Sequence, residues 1–169
     1  GIGTVGAIIA DVLPLTQPKL NRHEVEVKVT GEVQATLTTE RHQVVQVLEN
    51  LVRNAAEAMV STPGKRRIHL HVATEADQVQ IRVVDTGPGV APEDRDNIFL
   101  HGFTRKATGS GFGLHVSALT CKSMGGRLVL DDIPGMGACF SVWLPVNTKA
   151  EHDEDETDVF DLQDVRAVG

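Results

Sequence analysis

Apolar and polar positions recur along this chain in patterns that change character several times. The opening, from Ile2 to Leu15, is apolar and contains glycine, and reads as the end of a linker or the start of a short helix. Val25, Val27 and Val29 then alternate with Glu26 and Lys28, the period of two that marks a half-buried strand. Gly31 turns the chain, and Val33 to Leu37 offers a partner strand. Thr39 is placed to cap a long helix reaching to about Met59. On that helix Val44, Val47, Leu48, Leu51, Ala55 and Ala58 fall on one face. Two strands follow, Ile68 to Thr74 and Val79 to Val84, around a turn at Glu75-Ala76-Asp77.

Beyond Asp85 the pattern breaks. Residues 85 to 114 hold six glycines and two prolines but few periodic apolar positions, with room for one short helix from Glu93 to Phe99. A further helix fits Leu114 to Met124 and is closed by Gly125-Gly126. Strands Arg127 to Leu130 and Ala138 to Leu144 end the periodic part, joined by a turn at Pro134-Gly135. This order predicts an α+β, two-layer sandwich: one mixed, mostly antiparallel sheet with helices on one face. An irregular stretch of about thirty residues inside such a domain calls for a functional reason.

Composition changes this picture little, and charge changes it in one place. The net charge of −7 is concentrated in the tail, where Glu151, Asp153, Glu154, Asp155, Glu156, Asp158, Asp161 and Asp164 face only Lys149 and Arg166. We read residues 1–147 as the domain, with 1–15 including linker, and 148–169 as an acidic, solvated tail. Aromatic residues are scarce, which argues against a base-stacking nucleic-acid platform. No apolar run approaches the roughly 20 residues of a membrane span, and no signal peptide opens the chain. Because it starts at Gly1, we expect a cytoplasmic piece of a longer protein, with membrane anchoring of that parent left open. Cys121 and Cys139 lie far apart without metal spacing and read as reduced, buried thiols.

Three segments carry candidate chemistry. Asn50, Asn54 and Glu57 form a stripe at i, i+4 and i+7 beside the apolar face of the long helix. Asparagine is a moderate helix former, so two readings stay open: both amides face water, or their oxygens serve a hard cation such as magnesium. Glu49 points away from Asn50 and reads as a surface residue. The run Asp85-Thr86-Gly87-Pro88-Gly89-Val90 ends a strand in a carboxylate, able to accept a hydrogen bond from an exocyclic amine of the kind adenine presents. Its glycines let the backbone approach a flat ring. Gly109-Ser110-Gly111-Phe112-Gly113-Leu114 is a glycine-rich turn before a helix, which offers free N–H groups and a positive helix end to an anion. Leu114 stands where a dinucleotide fingerprint needs glycine, and the Gly-Lys-Ser/Thr of a P-loop is missing.

In combination and order, these segments resemble the ATP-binding superfamily of DNA gyrase, the ninety-kilodalton heat-shock chaperones, histidine kinases and MutL. Residues 46–55 resemble the N box of histidine kinases and Asp85 to Gly89 the G1 box. Phe99 with His101-Gly102-Phe103-Thr104 resembles the F box, and Gly109 to Leu114 the G2 box. The resemblance covers about residues 7 to 146. It implies a Bergerat-type fold that binds ATP and Mg2+. Asn54 then binds magnesium together with the triphosphate, and Asn50 helps hold that site. Asp85 bonds the adenine amine, and Gly87 and Gly89 shape the base pocket. Residues 90 to 109, with Val90, Phe103 and Thr104, form a lid from which Arg105 and Lys106 reach the phosphates. Gly109, Ser110, Gly111, Phe112, Gly113 and Leu114 surround the phosphates and give them backbone contacts.

In the superfamily's ATP hydrolases and serine kinases, the residue four before the magnesium asparagine is usually a glutamate base. Here that catalytic position is Asn50, which cannot take a proton. A histidine nucleophile needs less activation, so the resemblance implies a protein histidine kinase. Its partners are then the dimerisation and histidine phosphotransfer domain of the same parent and a downstream response regulator, in a homodimeric parent. As an excised domain the chain is expected to be monomeric, without nucleic-acid or direct membrane contact. A regulatory nucleotide-binding module and an ATPase clamp are the alternatives. His23-Glu24 matches the acceptor pattern in two letters only, since a strand follows it. His69 and His71 are expected on the wetter face of a sheet. The last strand lacks the family's usual threonine at Gly137-Ala138-Cys139-Phe140.

Overall fold

The computed structural model describes residues 3–38, 40–103, 113–133 and 135–146. Strand β1 (Gly3–Thr4) leads into helix α1 (Val5–Arg22), then come β2 (Val25–Gly31), β3 (Thr36–Leu37) and helix α2 (Arg41–Ala58). Strands β4 (Arg66–Glu75) and β5 (Gln78–Asp85) form a hairpin. Helix α3 (Gly113–Ser123) precedes β6 (Arg127–Asp131) and β7 (Cys139–Pro145). The main sheet runs β2-β4-β5-β7-β6, parallel between β2 and β4 and antiparallel elsewhere. Its apolar face, with Ile68, Leu70, Val72, Val79, Ile81, Val83, Val142 and Leu144, is buried against the helices. This is the expected mixed, mostly antiparallel two-layer sandwich.

Four local expectations are corrected. The opening is an 18-residue helix rather than a linker or short helix. Pro14 and Pro18 each remove a helical hydrogen bond, but both are exposed, one turn apart, while Val5, Ile8, Ile9, Val12, Leu13 and Leu20 are buried. Burial of that apolar stripe outweighs the two lost bonds. At its start the Thr4 side chain accepts a hydrogen bond from Ala7 N at 3.1 Å. Second, β2 does not pair with residues 33–37. Its neighbour is β4, in parallel register from Val25 with Arg66 to Gly31 with Val72, because α2 supplies the long crossover that parallel pairing requires. Strand β3 pairs instead with β1. Third, α2 is capped by Glu40 without a side-chain hydrogen bond, and Thr39 lies outside the described residues. Its buried face takes in Val52 and Ala56 and leaves Ala58 exposed. Fourth, the region 92–100 forms a 3-10 turn, Pro92–Asp94, followed by turns rather than a helix to Phe99.

Gly31 does turn the chain: its φ is +98°, and a Cβ there would lie 2.0 Å from Val72 O. His69 and His71 are half-buried on the polar face, both within hydrogen-bond distance of Thr30 Oγ1, at 2.6 and 2.7 Å.

Cys121 and Cys139 are free and buried. Burial pushes the Cys121 thiol up to about 11, and burial together with the nearby Asp131 carboxylate does the same for Cys139. At pH 8 only about one such thiol in a thousand is the reactive thiolate. Native protein is therefore expected to resist iodoacetamide at pH 8 and to take up two labels once unfolded in urea, as read by intact mass. Fast labelling of the folded chain would contradict this burial.

Candidate functional site

The central hairpin ends at Asp85, which is only 3% exposed. Burial pushes its carboxyl above the ordinary value of 3.8, opposed by backbone N–H groups of Gly87 and Ala138. Those groups donate to Oδ1 at 2.9 and 3.1 Å. The second oxygen, Oδ2, accepts no hydrogen bond among the described residues. A buried carboxylate with one oxygen satisfied and one spare is shaped to receive a ligand donor.

Backbone surrounds that oxygen pair. Gly87 leaves room where a Cβ would stand 3.1 Å from both Asp85 Oδ1 and Met59 Cγ. Gly89, at φ +79°, turns the chain back toward Gly137. Val90 packs half-buried against the core. At Gly137 a Cβ would lie 2.3 Å from Asp85 Oδ1 and 2.5 Å from Asp85 O. Sequence reasoning placed the turn at Pro134-Gly135 and missed Gly137. The one available signal was a second glycine, two residues on, just before a strand.

Met59, fully buried, ties this pocket to the end of α2, since Thr86 Oγ1 lies 3.4 Å from its sulfur. Asn50 and Asn54 lie further back on the same helix, half-buried beside its apolar face. The nine residues from Met59 back to Asn50 span roughly 13 Å at the rise of an α-helix. Asn50 Nδ2 donates to Ser117 Oγ on α3 at 2.9 Å. A Cβ on Gly113 would lie 2.7 Å from Asn50 Oδ1. The stripe therefore does not simply face water: Asn50 packs against the first turn of α3, whose free N–H groups have no partner within the helix. Leu114 follows, half-buried in that turn. Glu57, the third member of the stripe, pairs with Lys19 of α1 at 3.4 Å. Glu49 pairs with Arg53 one turn on.

Phe103 is half-buried against the core, and Phe99 meets Phe140 edge-on with ring centres 6.1 Å apart. His115 Nδ1 lies 3.0 Å from Phe99 O, and the His101 and His115 rings are 5.2 Å apart. The segment after β5 is thereby fastened to α3. Thr104, Arg105, Lys106, Gly109, Ser110, Gly111 and Phe112 lie outside the described residues.

The residues present fit a magnesium ion brought in by phosphates. Asn50 stands against the start of α3 and Asn54 one turn further along α2, and amide oxygens are hard donors able to complete a shell dominated by phosphate oxygens. Among the described residues no group of three His, Cys, Asp or Glu side chains could hold an ion unaided.

Comparisons with known proteins agree with this geometry. Residues 39–148 match the family described as histidine kinase-, DNA gyrase B- and HSP90-like ATPase. The sensor histidine kinase ZraS of Salmonella typhi is 34% identical over 142 residues, which cover 82% of this chain and 30% of that protein. The chain thus spans less than a third of that relative. Among solved structures, the mycobacterial sensor histidine kinase MprB superposes with a TM-score of 0.74 at 22% identity, covering 87% of this chain and 99% of that one. Full-length ShkA in complex with AMPPNP gives a TM-score of 0.73 at 25% identity, covering 88% of this chain and 32% of that one. With the family match running through most of the described fold, from α2 to β7, this chain belongs to the histidine kinase-, DNA gyrase B- and HSP90-like ATPase family.

Proposed function

We propose that this chain is the catalytic domain of a two-component sensor histidine kinase, binding Mg-ATP and passing its γ-phosphoryl group to a histidine on a separate domain. The observation that carries the reading is the spare oxygen of buried Asp85 near Met59 at the end of α2, with Asn54 roughly 8 Å and Asn50 roughly 13 Å back along that helix and the start of α3 against Asn50. That spacing suits a purine at one end and phosphates at the other. The relative ShkA was solved with AMPPNP, an adenine nucleotide analogue, on the same fold.

In this reading the exocyclic amine of adenine donates to Asp85 Oδ2, while Gly87, Gly89 and Gly137 bring backbone against the ring. Asn54 and Asn50 hold magnesium, which when bound neutralises charge on the phosphates. The first turn of α3, at Gly113 and Leu114, donates N–H groups to them, joined by Lys106 and Arg105 from the glycine-rich side. Phosphoryl transfer depends chiefly on positioning and charge neutralisation, and no side chain here need remove a proton.

The absence of a base distinguishes a histidine kinase from an ATPase or a serine kinase. Asn50 stands where a hydrolase would carry its glutamate, and an amide cannot activate water. Residues 1–147 form the domain, and residues 148–169 are an acidic appendage. No helix among the described residues is long and apolar enough to cross a membrane, and we place the domain in the cytoplasm.

Incubated with radiolabelled ATP and the dimerisation domain of its parent, the chain is expected to yield acid-labile, base-stable phosphate on that domain. Alone, it is expected to release inorganic phosphate at least about 100-fold more slowly, in keeping with a missing general base. Rapid hydrolysis by the isolated chain with no phosphohistidine would favour an ATPase clamp.

A further inference from the structure

We propose that Ser117 is a positioning residue, whose hydroxyl holds the Asn50 amide with its carbonyl oxygen toward the phosphate end of the site. The inference rests on the nucleotide reading above and assigns a task to a residue outside all four boxes.

The contact links two helices across 67 positions of sequence, Asn50 Nδ2 donating to Ser117 Oγ at 2.9 Å. Ser117 is 4% exposed, so water has little access to replace it. One turn earlier on the same face of α3 the amide also presses on Gly113, where a Cβ would lie 2.7 Å from Oδ1 and 2.8 Å from Nδ2. Asn50 is thus held against one face of the first turns of α3.

An amide has nearly the same shape either way round, so only its partners decide which end is presented. The Ser117 contact selects one orientation, Nδ2 toward the hydroxyl. A helical serine has a backbone carbonyl one turn back within reach of its proton, which leaves its oxygen to accept from an NH2 group. With Nδ2 on Ser117, the oxygen remains for the cation and phosphate end. Turned over, the same side chain would offer hydrogens where a cation needs lone pairs. Ser117 acts on the nucleotide only through Asn50.

The test is a double-mutant cycle on the affinity gained from Mg2+, measured as the ratio of ATP dissociation constants without and with the metal. Partners of this kind typically matter 10–100-fold for a metal, so Ser117→Ala is expected to lower the ratio about tenfold while leaving magnesium-free binding nearly unchanged. A carboxylate presents an oxygen whichever way it turns. In an Asn50→Asp background Ser117→Ala is therefore expected to change the ratio by no more than about twofold. Thermal melts of each variant establish folding, and Ser117→Cys, of similar volume, serves if the alanine variant melts too low.

An unchanged magnesium ratio in Ser117→Ala overturns the proposal. So does an equal loss in both backgrounds, which would mark a packing role, and so does loss of the ratio in Asn50→Asp alone. Failure of the unmodified chain to bind ATP under any condition would instead remove the nucleotide reading beneath it.

Discussion

Replacing Asp85 by asparagine is expected to abolish nucleotide binding in calorimetry while making the domain more resistant to heat. The amide oxygen can still accept from Gly87 N and Ala138 N, which now donate to Oδ1 at 2.9 and 3.1 Å. The amide nitrogen then takes the place of Oδ2 and meets the adenine amine donor to donor. A hydrogen bond to a charged partner contributes about 1.5–3 kcal/mol, and opposing donors add to the loss, so the expected weakening is at least about 100-fold.

The stability change has the opposite sign. Burial raises the Asp85 carboxyl in the folded chain above its ordinary value of 3.8. Between the unfolded and folded values the folded state holds more protons, so stability falls as pH rises through that window. At neutral pH the ionised side chain is a cost, which asparagine removes. A gain of about 1 kcal/mol is typical when a functional group is relaxed in this way, or roughly 3 °C in melting temperature. The difference between the two proteins is expected to open above about pH 4 and to close in stronger acid. An asparagine variant that binds ATP normally, or melts earlier at pH 7, would sink the assignment of this residue.

The glycine facing Asp85 behaves differently. In Gly137→Ala the new Cβ would stand 2.3 Å from Asp85 Oδ1, 2.5 Å from Asp85 O and 2.8 Å from Gly87 N. Two of these neighbours are backbone and cannot swing aside. The start of β7 must then leave β5, breaking Gly137 N to Asp85 O at 3.2 Å and weakening Asp85 N to Ala138 O at 3.0 Å. A loss of about 3 kcal/mol or more is expected, lowering the melting temperature by roughly 10 °C, and nucleotide binding falls with it. Gly135→Ala is the control: no atom lies within 4 Å of its Cβ. Its positive φ costs only about 1–2 kcal/mol. If the two alanine variants melt together, the close approach at residue 137 is not what holds this corner.

How much of this was legible beforehand depended on whether neighbours in space were neighbours in sequence. Asp85, Gly87 and Gly89 lie in one short run, so the pocket floor could be read directly. The long helix α2 declared itself through its period, and β4 through the alternation of Ile68, Leu70 and Val72 with His69 and His71. Helix α1 was hidden by Pro14 and Pro18, because local preference opposes what tertiary burial imposes. The partner of β2 was misjudged for a related reason: adjacency suggested a hairpin, while the true neighbour lies beyond a whole helix. Ala138 reaches Asp85 from 53 positions away and Ser117 reaches Asn50 from 67. No local pattern encodes such meetings, since they exist only once two elements have packed.

Leu37 has neighbours from both extremes of the described chain. It pairs with Gly3 in β1 and forms a bridge with Val146 just past β7. With strands spaced about 4.8 Å apart, entry and exit lie within roughly 10 Å of each other. They lie by Asp77, at the end of the central hairpin remote from Asp85. A pull on Val146 would load this small clasp together with the bond from Val146 N to Asp77 O. Asp85 stands at the far end of the hairpin from this clasp, where a rotation about it would give the largest travel.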